Sequence, residues 1–145
     1  FLLSLLVVDG TDNTDYFIYK FKISKKDQKR LKLIDFFYKD KITLNNFAKK
    51  NLDKIFYFNG RQAVIDIINF KIFTSKKIEK KLIKLLDIYK EKEIPTLPIG
   101  ADLLMTKFKI PQGKNLGNKL KRIEEIWIEN GFQISDKQVQ QIVKA

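Results

Sequence analysis

Arg61-Gln62-Ala63-Val64-Ile65-Asp66-Ile67-Ile68-Asn69-Phe70-Lys71-Ile72-Phe73 reads as a helix that is apolar on nearly every side. Val64, Ile65, Ile67, Ile68 and Ile72 recur at the spacings of a helix, not at the alternation of a strand. Gln62, Asp66 and Asn69 leave one narrow polar strip. So wide an apolar face has to be covered by neighbours on several sides. The stretch therefore predicts the central member of an all-α protein.

Upstream, Asn59-Gly60 is a turn signal, preceded by the aromatic cluster Phe56, Tyr57 and Phe58. Thr43 is expected to cap a helix running through Phe47 toward Leu52. Ser24 and Asp27 have the spacing of a capping box, and Leu31, Ile34 and Tyr38 follow at helical intervals. A short helix is predicted over 15–21, and Phe1, Leu2, Leu5 and Leu6 form a first stripe that stops near Asp9-Gly10.

Downstream, Ser75 is expected to cap a long amphipathic helix reaching residue 93, with Ile78, Leu82, Leu85, Leu86 and Tyr89 as its buried stripe. Pro95 and Pro98 end it, which divides the chain into a body over 1–94 and a tail over 95–145. In the tail, Asp102 caps a short helix over 102–108, and Pro111-Gln112-Gly113 turns into a last long helix that stops at Asn130-Gly131. Trp127 aligns with Leu116, Leu120 and Ile123 on its buried face, and Ser135 with Gln138 boxes a terminal helix. The expected fold is an irregular multi-helix bundle of about eight to nine helices, body plus tail.

Composition narrows the chemistry. Hydrophobic residues make up 44% of the 145, enough for a packed core. The chain has no cysteine and no histidine, which excludes disulfides, zinc fingers and any histidine-based catalytic triad. Basic residues outnumber acidic ones by 29 to 17, a formal net charge of +12. An AT-rich genome accounts for lysine over arginine but not for the surplus over acid, so a polyanionic partner is indicated. The apolar run 1–8 is far shorter than the roughly 20 residues of a membrane span, and it lacks the basic leader of a signal peptide. No membrane partner is expected, and the cysteine-free composition fits the cytoplasm. Apolar from its first residue, Phe1, the chain reads as part of a longer polypeptide.

Residues 97–127 carry the sharpest pattern: Leu97-Pro98-Ile99-Gly100-Ala101-Asp102-Leu103-Leu104, then Ile110-Pro111-Gln112-Gly113-Lys114-Asn115-Leu116-Gly117-Asn118-Lys119-Leu120, then Trp127. This is similar to the signature near the end of bacterial class II tRNA nucleotidyltransferases and poly(A) polymerases. Phe58-Asn59-Gly60-Arg61 with Asp66, and Phe21-Lys22-Ile23-Ser24 followed by Arg30-Leu31, resemble two upstream segments of that family in the right order. The resemblance implies a helical body and tail that hold the tRNA elbow while a head domain works on the 3′ end. The head's Gly-Gly loop and Asp-x-Asp pair are absent from this sequence. The chain is thus expected to hold no cofactor and no catalytic residue, with Mg and ATP or CTP used by the head and neck of the parent enzyme. Its expected partners are tRNA or other RNA and that catalytic head and neck.

Charge placement supplies the candidate site. Lys25, Lys26, Lys29 and Arg30 open one predicted helix, Lys76, Lys77, Lys80 and Lys81 a second, and Lys114, Lys119, Lys121 and Arg122 a third. A helix dipole favours the opposite order by about 0.3–1 kcal/mol per well-placed charge. Three helices working against their own dipoles suggest that phosphates sit there. The candidate phosphate contacts are Gly113, Lys114, Lys119, Lys121, Arg122, Lys76, Lys77, Lys80, Lys25, Lys26 and Arg30. Gly113, before a helix, either leaves backbone N–H groups open to an anion or is a plain turn. Gly117 costs about 1 kcal/mol inside a helix and is expected to mark close helix packing. The aromatics Phe36, Phe37, Tyr38, Phe56, Tyr57 and Phe58 could stack on bases but are mostly read as core. The competing reading is a structural or protein-interaction domain that is basic through composition bias. A hairpin-type DNA-binding module would need paired glycine turns, and one is present.

Overall fold

A computed structural model describes residues 1–39, 47–77 and 79–144. Among the described residues the protein is all-helical, with nine helices: α1 Leu2–Val7, α2 Asn13–Phe21, α3 Lys25–Lys39, α4 Lys49–Asn59, α5 Arg61–Thr74, α6 Lys80–Glu91, α7 Ala101–Phe108, α8 Lys114–Glu129 and α9 Asp136–Lys144. The expected cap at Thr43 and the stripe residue Ile78 lie outside the described residues.

The apolar helix of the opening stretch is α5, and it packs against α1, α3, α4 and α6. Its Val64, Ile67, Ile68 and Phe70 are buried together with Leu31, Ile34 and Phe37 of α3, Leu52 and Phe56 of α4, and Leu82 and Tyr89 of α6. Phe37, not Tyr38, supplies the buried aromatic of α3; Tyr38 lies at the margin, edge-on to Phe70 at 5.6 Å. A second cluster joins Leu104 of α7, Ile110, Leu116 and Ile123 of α8, and Val139 of α9.

Helix ends follow local chemistry. The Ser24 hydroxyl donates to Asp27 at 2.6 Å and accepts the Asp27 N–H at 3.1 Å, which is the capping box of α3. Ser135 and Gln138 do the same for α9, the Ser135 N–H donating to the Gln138 amide oxygen at 2.9 Å. Gly60 joins α4 to α5 without a linker: it sits at φ 83°, ψ 173°, and its N–H closes α4 on the Phe56 carbonyl at 3.0 Å. Two expected caps are corrected. Ser75 closes α5, its hydroxyl donating to the Lys71 carbonyl at 2.6 Å, and α6 begins five residues later at Lys80. Gly100, not Asp102, precedes α7, and Asp102 is an exposed acid in its first turn.

The two clusters meet where α8 lies on α4. Tyr57 of α4 donates its hydroxyl to Glu124 at 2.7 Å and stands edge-on to Trp127 at 5.5 Å. Left-handed Gly131 and Phe132 end α8 and turn the Phe132 ring back onto Trp127 at 5.0 Å. Beside them lies a buried polar trio. Asp53 of α4, fully buried, accepts hydrogen bonds from the Tyr89 hydroxyl at 2.8 Å and from the Lys92 ammonium. Burial, with the Asp53 carboxylate second, pushes the Tyr89 hydroxyl well above the ordinary phenol range. Lys92 also sits over the rings of Phe132, Tyr89 and Phe56 at 4.7, 5.2 and 5.5 Å.

Candidate nucleic-acid interface

Helix direction decides which lysines can act together. Arg30 meets Asp66 and Tyr38 meets Phe70, so α3 and α5 run parallel. Arg61, the first residue of α5, donates to the carbonyl of Lys92 just past α6, so α5 and α6 run antiparallel. The basic starts of α3 and α6 consequently lie at opposite ends of α5, about 20 Å apart by helical rise. Lys25 and Lys26 are exposed at the first, and Lys80, preceded by exposed Lys76 and Lys77, stands at the second. With Ser75 assigned to α5, Lys76 and Lys77 belong to the connection before α6 rather than to its first turn.

Several candidates are engaged inside the protein. Arg30 forms a two-pronged pair with buried Asp66, at 2.6 and 2.8 Å, and Asp66 takes a further hydrogen bond from Gln62 at 2.9 Å. Its own hydrogen bonds to Asp66 hold the Arg30 guanidinium above its ordinary range. Lys119 donates to the carbonyls of Val143 at 2.8 Å and Ile142 at 3.3 Å, closing the end of α9. Arg122 pairs with Glu125 at 3.3 Å. Lys121 lines a groove with Lys50 and Lys54, opposite Glu124, Glu125 and Glu129, so its charges balance.

Lys25, Lys26, Lys76, Lys77, Lys80 and Lys114 remain exposed with no acidic partner among the described residues. Gly113 caps α8 at φ 151°, where a methyl group would meet nothing within 4 Å, and Lys114 follows as the first helical residue. Gly117 corrects an expectation: a methyl group there would meet nothing within 4 Å, so it marks no close packing.

Phe58 belongs to the aromatics expected mostly in the core, and the structure leaves it in solvent. Tyr57 is part-buried, but its neighbour is 56% exposed, and Phe36 is 64% exposed. Phe58 stands between two grooves, the charge-balanced one of Lys121 and a second lined by Lys26, Lys29, Arg30, Leu33, Asn59, Gln62 and Ala63. The signal was available: three consecutive aromatics on a helix cannot all face one core. No group of acidic residues among the described ones is arranged to hold a metal ion, and no described helix is long and apolar enough to cross a membrane. Compared with known proteins, the chain matches no family model, no curated protein and no solved structure.

Proposed function

We propose that the chain is an RNA-gripping helical region of a tRNA nucleotidyltransferase or poly(A) polymerase. It would hold tRNA by phosphate contacts while the parent's head, with its Mg and ATP or CTP, adds nucleotides to the 3′ end. The observation that carries the gripping part is the set of exposed lysines without an acidic partner among the described residues, at the starts of α3 and α8 and just before and at the start of α6. The enzyme family rests on the ordered motifs of residues 21–127 alone.

Binding to tRNA is expected to weaken steeply with salt. Lys114→Glu with Lys121→Glu should lower affinity for tRNA while leaving helicity intact. Lys114→Glu also sets an acid at the start of α8, which favours the helix by about 0.3–1 kcal/mol. Weaker binding with an unchanged or raised melting temperature supports the grip. Unchanged affinity, with no response to salt, leaves the second reading: a structural or protein-interaction domain basic through composition. The observation favouring that reading is the placement of the α3 and α6 starts at opposite ends of α5.

A further inference from the structure

Phe58 is a large aromatic ring in water, flanked by lysines, at the last turn of α4. Its position is built rather than accidental. Tyr57, anchored on Glu124 and Trp127, holds Phe58 edge-on at 5.1 Å. Gly60 then turns the chain so sharply that α5 starts beside it. The groove on the α3 side has a volume of about 340 Å³, near the lower end of small-ligand clefts.

Leu33 and Ala63 give that groove its aliphatic surface, and Asn59 and Gln62 border it with amides. Gln62 donates its amide N–H to Asp66, which leaves its carbonyl oxygen to accept from a ligand. Lys26 and Lys29 contribute free ammonium groups, and Arg30 is already neutralised by Asp66. No carboxylate lines this groove, whereas the groove on the other side of Phe58 sets three glutamates against three lysines. Charge therefore directs an anionic ligand to the α3 side.

We propose that Phe58 is a stacking platform for an unpaired base of a single-stranded RNA segment, with the flanking phosphates held by Lys26 and Lys29. A flat ring beside two cations, with amides at its border, has the chemistry of single-strand binding: a π-face for the base and ammonium groups for the backbone. The site deepens the RNA-gripping reading and rests on it. It adds an unpaired nucleotide to what would otherwise be contacts to phosphates alone.

The test compares a ten-nucleotide oligoribonucleotide with an abasic strand of the same length and charge, by fluorescence anisotropy at low salt. Wild type should bind the base-bearing strand more tightly. Phe58→Leu should weaken that binding about 5- to 150-fold, the loss of ~1–3 kcal/mol for one stacked base, and leave the abasic strand unchanged. Phe58→Trp should retain the preference, which separates a stacking role from a folding defect. Lys26→Gln with Lys29→Gln should weaken both strands and reduce the salt slope by about 1.4, at about 0.7 per phosphate. Equal binding of the two strands by wild type, or no effect of Phe58→Leu, overturns the platform and leaves the RNA grip standing. No binding of either strand overturns both. Polyglutamate bound as tightly as RNA, and weakened equally by Phe58→Leu, would assign the site to an acidic protein partner instead.

Discussion

Asp53 is sealed from water, yet one of its two carboxylate oxygens finds no hydrogen-bond partner among the described residues. The other accepts from both Tyr89 and Lys92. The ammonium group of Lys92 is enclosed in turn by three aromatic faces, each favourable to a cation. Because the carboxylate is already short of partners, it depends heavily on that ammonium. Lys92→Met should therefore cost about 3–5 kcal/mol, the usual penalty for leaving a buried charge without its counter-ion. Adding Asp53→Leu should recover part of the loss, since an apolar pair needs no counter-ion, while the Tyr89 hydroxyl is left with the Lys49 carbonyl at 3.4 Å. Urea unfolding of both variants checks this; a double variant no more stable than the single would show that shape, not charge, holds the site. Of this trio only the burial of Tyr89 was legible in the sequence. Lys92 looks like one more surface lysine in a lysine-rich chain, and the turn that brings Phe132 over it is set by the left-handed end of α8.

At the scale of elements, sequence and structure agree where the signal is local. Ser24 with Asp27 and Ser135 with Gln138 sit at the expected helix starts and make the expected bonds. Ser135→Ala should cost about 0.5–2 kcal/mol, read as a lower melting temperature. Ser75→Ala should cost less, because its hydroxyl serves a carbonyl at a helix end rather than an orphan N–H at a helix start. Equal losses would return Ser75 to the role first expected of it. The misreading has a physical source: a serine between two helices can close one or open the other, and spacing alone does not choose. Phe58 was partly legible: three consecutive aromatics cannot all face one core, but periodicity alone does not say which of them is left in solvent. The face sharing of basic helix starts was also out of reach, since helix direction comes from long-range pairs such as Arg30 with Asp66.

Across the whole molecule, two apolar clusters are joined by the extended stretch 92–100, and the first residue of that stretch is the lysine held by Asp53. Its side chain stands at the meeting of α4, the end of α6 and the turn after α8. This gives the protein a built-in clock for trypsin. The protease must take a lysine side chain into its own specificity pocket before it cuts. Among lysines in non-helical segments, Lys76 and Lys77 are exposed and free, whereas Lys92 is withheld although its backbone is extended. In a timed digest followed by mass spectrometry, cuts after Lys76 and Lys77 should precede the cut after Lys92. Asp53→Asn should bring the Lys92 cut forward. Early cleavage at Lys92 in the wild type would show the joint to be open in solution. The appearance of that one fragment thus reports how often Lys92 leaves Asp53.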